Sequence, residues 1–256
     1  MALFSTQPFE SSILHATSGE PGKSVHIFEP EFHQDIYTEP EARATRCPFG
    51  YFRLSGNTLL EPAHRGIQPT YVDDLDDPSS LIYVGMTRKS GEVLTEEDTT
   101  NVAAIKSVGI REGYIQLESS RSVSSEFYNK KKSRAGVFKN DLLINSTGDG
   151  TIGRVAVYHY DFPAIVDGHI TIARFHNPDL AWYTAAYLLS ETGQRQIYRY
   201  INGSSGQVEI YPSDIARLAI PLLPPEDLQR IAFDFREACS MYTQFRTKLT
   251  RIISTV

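Results

Sequence analysis

The spacing of apolar and polar positions changes twice along the chain. Residues 1–50 hold no sustained period, and FEPEF and TEPEA read as extended, proline-punctuated chain, with HIFEPEFHQDI a candidate short helical lead-in. From Tyr51 onward, short runs of β-branched and aromatic residues alternate with Gly, Asn, Asp and Ser clusters. IYVGMT (82–87), GYIQLES (113–119), GVFKNDLLINST (136–147), GRVAVYHY (153–160) and HITIARF (169–175) are predicted strands. Asn177-Pro178 then predicts a helix start, the Asn as cap and the Pro in the first turn. That helix runs through LAWYTAAYLLSE to Gly193, and a second follows through GQRQIYRYI. INGSSGQ reads as a loop, VEIY as a strand, and PSDIARLAIPLLPP as a short helix, a strand and a stop.

The last rhythm is the most regular. Leu228, Ile231, Phe235, Ala238, Tyr242, Phe245, Leu249, Ile252 and Val256 alternate steps of three and four, an unbroken heptad pattern. Pro224, Pro225, Glu226 and Asp227 open it as a helix N-terminus. At 1.5 Å per residue such a helix is about 43 Å long, more than one small domain covers, so a partner helix is expected. The fold class expected is α+β: an irregular segment at 1–50, a mixed, mostly-β domain with short helices at 51–223, and a long coiled-coil helix at 224–256.

Within the β-rich part, GDGTIG (148–153) is a literal G-x-G-x-x-G. A dinucleotide fingerprint needs a strand before it and a helix after it, because the helix N-terminus holds the pyrophosphate. Leu142, Leu143 and Ile144 supply the strand, but Arg154-Val-Ala-Val-Tyr-His-Tyr is strand chemistry too. Gly148, Gly150 and Gly153 are therefore read as a β-hairpin turn, where glycine supplies positive φ.

Composition narrows the classes. The opening MALFSTQPFE lacks a basic n-region, so no signal peptide is expected, and LAWYTAAYLL is shorter than the ~20 apolar residues a membrane span needs. Cys47 and Cys239 cannot build a disulfide framework, and reduced thiols suit a cytoplasmic protein. The net charge of −6 argues weakly against a nucleic-acid partner. Its distribution removes the objection. Asp73, Asp74, Asp76, Asp77, Glu92, Glu96, Glu97 and Asp98, against Arg88 and Lys89, carry the whole excess. Residues 110–140 run the other way, with Arg111, Arg121, Lys130, Lys131, Lys132, Arg134 and Lys139 against Glu112, Glu118 and Glu126. An anionic ligand responds to that local field and not to the sum.

The candidate contacts follow from this map. Lys130, Lys131, Lys132 and Arg134, preceded by Phe127 and Tyr128, form a cationic run that is either a solvated loop or a phosphate contact. The turn offers Asn145, Ser146, Thr147 and Arg154, and the loop at 203–207 offers Ser204, Ser205 and Gln207. These short donors suit phosphates or base edges and are also ordinary turn residues. G-x-S-x-G, C-x-x-C, H-E-x-x-H, the P-loop motif and the Asp/Asn-Pro-Pro-aromatic motif of amino-methyltransferases do not occur. His159, His169 and His176 are the nearest approach to a cluster, and each fits a strand or turn better than a metal site. No catalytic residue, cofactor site or metal site is expected.

The order of these pieces resembles a known family. VFKNDLLINSTGDGTIGRVAVY, AIVDGHITIARF, YLLSETGQRQI and SSGQVEIYPSDIARLAIPLLPPEDLQRIA are similar, in that order, to a target-recognition domain of the specificity (S) subunit of type I restriction–modification enzymes. RGIQPTY (65–71) and VGIREGYI (108–115) sit where that family has a Gly-x-x-Pro-x-Tyr segment and an Ile-x-x-Gly turn. The resemblance covers about residues 51–232 and has a half-length form with one recognition domain. It implies a non-catalytic subunit that reads double-stranded DNA and directs a methyltransferase subunit, with S-adenosylmethionine bound elsewhere. A restriction (nuclease) subunit is left open. It also implies pairing of two domains through the long helix, here a homodimer with Leu228, Ile231, Phe235, Tyr242, Phe245, Leu249 and Ile252 at the interface. The departures are the single domain, a shifted acid in the Leu-Leu-Pro-Pro-Glu-Asp-Leu-Gln turn, and a first 50 residues without a counterpart. The competing expectation is a protein-interaction or scaffolding subunit of the same fold that does not bind DNA.

Overall fold

A computed structural model describes residues 35–72, 101–203 and 208–253. The strand expected at 82–87, most of the acidic segment, and Ser204, Ser205 and Gln207 lie outside these residues. In chain order the described elements are α1 (Asp35–Thr45), β1 (Tyr51–Arg53), β2 (His64–Arg65), β3 (Asn101–Ile105), β4 (Arg121–Ser124), α2 (Ser125–Ala135), β5 (Gly136–Val137), β6 (Leu142–Asn145), β7 (Val155–Val157), β8 (Ala164–Val166), β9 (Ile170–Ala173), α3 (Pro178–Leu189), α4 (Glu191–Arg199), α5 (Pro212–Ile215), β10 (Ala219–Pro221) and α6 (Pro225–Ile253). The expected class, mixed sheets with short helices and a long C-terminal helix, is the one found.

The strands build one sheet in the order β2-β9-β6-β7, a second in the order β4-β3-β8-β5, and a two-stranded ribbon of β1 with β10. Side-chain alternation shows how the sheets stack. Leu142, Ile144, Val155, Val157 and Ala173 point into one apolar cluster, which they share with α3, α4 and α6. Their neighbours Leu143, Ala156 and Ile172 point the other way, onto Ala103, Ile105, Ala164 and Val166 of the second sheet. Val102, Ala104 and Ile165 then face Ala135, Phe127 and Tyr128 of α2. The layers therefore run helix, sheet, sheet, helices. Strands β6, β7, β8 and β9 are buried on both faces, so they read as nearly continuous apolar runs with little alternation.

Several boundaries differ from the sequence reading, each for a physical reason. TEPEA (38–42) lies inside α1 and is not extended. An interior proline costs a helix about 3 kcal/mol, but Pro40 and Ala44 are buried where α1 packs on α4 and β10. Glu41 is held by Arg199 and Tyr200 of the α4 end and by Arg53 of β1. GYIQLES forms no strand: Gly113 takes φ 88°, Ile110 and Ile115 form an isolated bridge, and Leu117–Ser119 is a single 3-10 turn. VEIY likewise reduces to isolated bridges at Glu209. The first of the paired helices stops at Leu189, short of Gly193, because Ser190 is extended and its hydroxyl caps α4 by accepting the Gly193 N–H at 3.2 Å.

The long helix is real, but the first half of its seam is covered by the chain itself. Leu228, Ala232 and Cys239 are buried and Ile231 and Phe235 half-buried, packed mainly on α3. The Phe235 ring meets Trp182 edge-on, 6.2 Å between centroids. The expectation that the whole seam requires a partner helix is thus corrected for Leu228, Ile231 and Phe235, while Ala238 stays exposed. Beyond them Met241, Phe245 and Ile252 are more than half exposed and Tyr242 somewhat less.

Candidate nucleic-acid interface

The turn at 146–154 is a hairpin tip. β6 and β7 pair antiparallel, Leu142 with Val157 through Ile144 with Val155, and Gly148, Gly150 and Gly153 take φ of 93°, 73° and 82°. A strand leaves the turn where a dinucleotide site needs a helix. Gly153 does a second job. A Cβ there would lie 3.0 Å from Gln194 Oε1, and the same Gln194 donates Nε2–H to Gly153 O at 2.9 Å. Gln194 of α4 therefore braces the hairpin, a contact invisible to local sequence.

The predicted contact residues separate sharply. Asn145 and Ser146 do not reach the surface: both are fully buried. Asn145 Nδ2 donates to Ser107 O at 2.7 Å, and the Ser146 hydroxyl lies 2.5 Å from that of Thr171. They end a strand that is covered on both faces, so their polar groups serve the interior. Expecting them to touch DNA is corrected on this ground. Thr147 is nearer solvent, its hydroxyl 2.6 Å from His169 Nδ1, while Asp149 and Gly150 at the tip are exposed. Arg154 is partly covered and faces Glu112 at 3.3 Å.

The flank of the turn is built from residues that motif reading passed over. Thr147 bridges to Glu209, and Gly148 N–H donates to Val208 O at 3.0 Å. Arg65 of β2 pairs with Glu209 at 3.1 Å, and its guanidinium stands 5.7 Å over the Tyr211 ring. Glu209 is held below its ordinary value, first by the Tyr211 hydroxyl and with further help from Arg65, against the opposing effect of burial. Beneath the turn, burial pushes the Asp167 carboxyl above its ordinary value, opposed by the His169 and Ser107 backbone N–H groups that donate to it. Nothing local marks Arg65 or Glu209, which are 144 residues apart in the chain.

The lysine run is helical and not a loop. It lies on α2, whose N-terminus is capped by the Ser124 hydroxyl accepting the Phe127 N–H at 3.1 Å. Glu126 in the first turn and Lys132 and Arg134 in the last complement the helix dipole. Lys130, Lys132 and Arg134 are exposed and Lys131 is half-buried. Lys132 leans on Asn129 at 3.1 Å and on the Tyr128 ring, 5.9 Å away. Arg154 and Arg65 at the turn each have a carboxylate partner, whereas none of these four cations pairs with an acid among the described residues. Helix α2 packs on the outer face of the second sheet, and the turn belongs to the first. The fold thus places the two candidate contact groups on different layers.

No family model and no curated protein matches the chain. Among solved structures it is similar to a chain of a type I R-M system, with 13% identity, a TM-score of 0.45, and coverage of 86% of this chain and 48% of that one. The HsdS subunit from Thermoanaerobacter tengcongensis matches with 13% identity, a TM-score of 0.40, and coverage of 86% and 45%. The type IIG restriction endonuclease BpuSI matches with 12% identity, a TM-score of 0.50, and coverage of 80% and 28%. The chain therefore spans less than half the length of each of these three structures. What the chain shares with the type IIG enzyme, at this identity, is a fold.

Proposed function

We propose that this chain is a sequence-specific DNA-binding specificity subunit that directs a restriction–modification methyltransferase to its target. The observation that carries the reading is the cation set on α2: four positive side chains on one short helix with no acidic partner among the described residues. Cations held on a fixed element suit the phosphate backbone, which supplies most of the sequence-independent affinity for DNA. The fold shared with a restriction enzyme is consistent with this reading by analogy only, since a fold can host several functions. Thr147 and Arg154 are the proposed reading edge, with Ser204, Ser205 and Gln207 as further proposed contacts, and the turn glycines let the backbone approach a ligand closely. The subunit is non-catalytic in this proposal. Two copies pair through the second half of α6, by the expected stripe of Tyr242, Phe245, Leu249 and Ile252.

A second reading, a protein-interaction subunit without DNA binding, has one observation in its favour. Three arginines are charge-balanced and stacked on tyrosines: Arg65 over Tyr211 beside the turn, Arg217 over Tyr200 at 4.6 Å at the end of α4, and Arg53 over Tyr51 at 5.4 Å on the β1–β10 ribbon. Arg and Tyr surfaces of this kind are common at protein interfaces. Selection from a library of random duplexes with the purified chain decides between the two. Enrichment of a defined sequence, with no cleavage or methylation when Mg²⁺ and S-adenosylmethionine are supplied, supports the specificity subunit. Retention of no duplex at low salt refutes it and leaves the interaction reading.

A further inference from the structure

Glu209 sits directly opposite Thr147 in an isolated antiparallel bridge, so the two side chains share one face at the hairpin end. The backbone of this residue is fixed from both sides. On one side Gly148 N–H donates to Val208 O at 3.0 Å, and Ile210 N–H donates to Ser146 O at 2.9 Å. On the other, Glu209 and Asn202 exchange both of their backbone hydrogen bonds, at 2.8 and 2.7 Å. The carboxylate is gripped too. Arg65 Nη1 reaches Glu209 Oε2 at 3.1 Å, Arg65 Nη2 donates to Ile210 O at 3.0 Å, and the Tyr211 hydroxyl donates to the carboxylate.

An ion pair between two partly exposed side chains contributes little to stability. Its effect here is to aim an acceptor. A carboxylate offers about four lone-pair sites, and Arg65 and Tyr211 occupy two of them, which leaves room for an outside donor. Both partners also keep it ionised, hence acceptor-only, at neutral pH. Beside DNA such a group is repelled by phosphates, and it meets complementary chemistry only where a base edge presents a donor. In the major groove cytosine presents its N4 amino group alone, whereas adenine sets the N7 acceptor beside its N6 amino group. Guanine N7 and O6 and thymine O4 are acceptors. An acceptor fixed in one place therefore suits cytosine and rejects guanine and thymine.

We propose that Glu209 is a specificity-determining residue that accepts a hydrogen bond from a cytosine amino group in the major groove, with Arg65 and Tyr211 as the positioning residues that hold its carboxylate. The inference rests on the reading edge at Thr147 proposed above and adds to it the identity of one base. Its sign is opposite to that of the α2 cations. They draw in any duplex, while Glu209 lowers the affinity for every duplex that lacks a donor at that place.

The test is selection from random duplexes with the full chain as wild type, Glu209→Gln and Tyr211→Phe, followed by affinities for the selected site and its single-base variants. Neither substitution removes the backbone bonds that hold residues 208–210. Wild type is expected to enrich a site with one cytosine for which any other base costs at least about fivefold, the lower end of ~1–3 kcal/mol per mismatched base pair. Gln pairs bidentately with adenine N6 and N7. Glu209→Gln should therefore replace that cytosine by adenine, keep the rest of the site, and bind random duplexes more tightly because a negative charge is gone. Tyr211→Phe keeps the carboxylate but loosens it, so cytosine stays preferred by a smaller factor, at that position alone. Loss of the cytosine preference at one position, with or without the gain of adenine, supports the contact. A Glu209→Gln variant with the wild-type sequence preference, or one weakened equally at every position, overturns the inference and leaves sequence-specific binding intact. A wild type that enriches no sequence overturns the DNA-reading proposal itself, and this contact with it. If Glu209→Gln fails to fold, Tyr211→Phe decides, and unchanged discrimination at every cytosine of the site overturns the inference.

Discussion

The sharpest prediction concerns which cations of α2 act together. Residues four apart share a helix face, so Lys130 and Arg134 are neighbours, while Lys132 is turned roughly 200° from each. Phe127, Tyr128 and Ala135 face the second sheet and set the buried side, which leaves Lys131 half-buried between them. One phosphate track along this helix therefore meets Lys130 and Arg134 first. Replacing both by Ala removes two contacts and should flatten the plot of log affinity against log salt by about 1.8, at ~0.9 per phosphate contact. Between 50 and 200 mM salt, a fourfold change, the gap between wild type and variant then shrinks by about 12-fold. Lys132→Ala should change the slope by less than about one contact's worth, ~0.9. The fold should survive, because both side chains are exposed and the helix loses mainly a dipole term of about 0.3–1 kcal/mol from Arg134. Fluorescence anisotropy across a salt series, with circular dichroism to check folding, reads this directly. A double variant with the wild-type slope refutes the placement of phosphates along α2, whatever happens to absolute affinity.

Two further outcomes are expected. Phe245→Asp with Leu249→Asp should leave the domain folded, since Phe245 is 58% exposed, while separating paired chains in light scattering; a domain that unfolds shows instead that this stripe packs within the chain. Burial pushes His159 below its ordinary value, where it stacks on Tyr160 at 4.3 Å and contacts Thr243 of α6, with Lys139 and Asp161 nearby. The unfolded chain then binds the extra proton. Stability from the neutral imidazole is therefore complete above about pH 6.5 and is lost as pH falls through the depressed folded value. The Tm difference between wild type and His159→Gln, which cancels the opposite trend of buried carboxyls such as Asp167, should narrow across that window, and a constant difference contradicts the assignment.

What could be read in the sequence follows from which forces are local. The hairpin was legible because its three glycines and flanking β-branched residues each prefer that geometry on their own. The long helix was legible for the same reason, from its period. The period does not say what covers the stripe: Leu228 and Phe235 meet α3, yet an apolar step of three or four looks the same whether the partner is the chain's own domain or another molecule. Asn145 and Ser146 misled because polar residues beside a glycine turn usually face water, and here two stacked sheets close over them. The packing of α1 depends on Glu41 reaching Arg199, and the brace on the turn depends on Gln194 reaching Gly153. Such contacts exist only after the chain has folded back on itself.

The ribbon of β1 with β10 has a consequence for synthesis. Arg53 pairs with Ala219, so one side of the domain cannot close until residue 219 has been made. At about 5–20 residues per second, translation separates those two strands by roughly 8–33 seconds. The nascent chain therefore carries an unpaired β1 edge throughout that interval, and such long-range pairing makes for slow closure. The edge is three residues long, Tyr51–Arg53, and ends in a charge. A strand that short and charged offers little template for pairing with other chains while it waits.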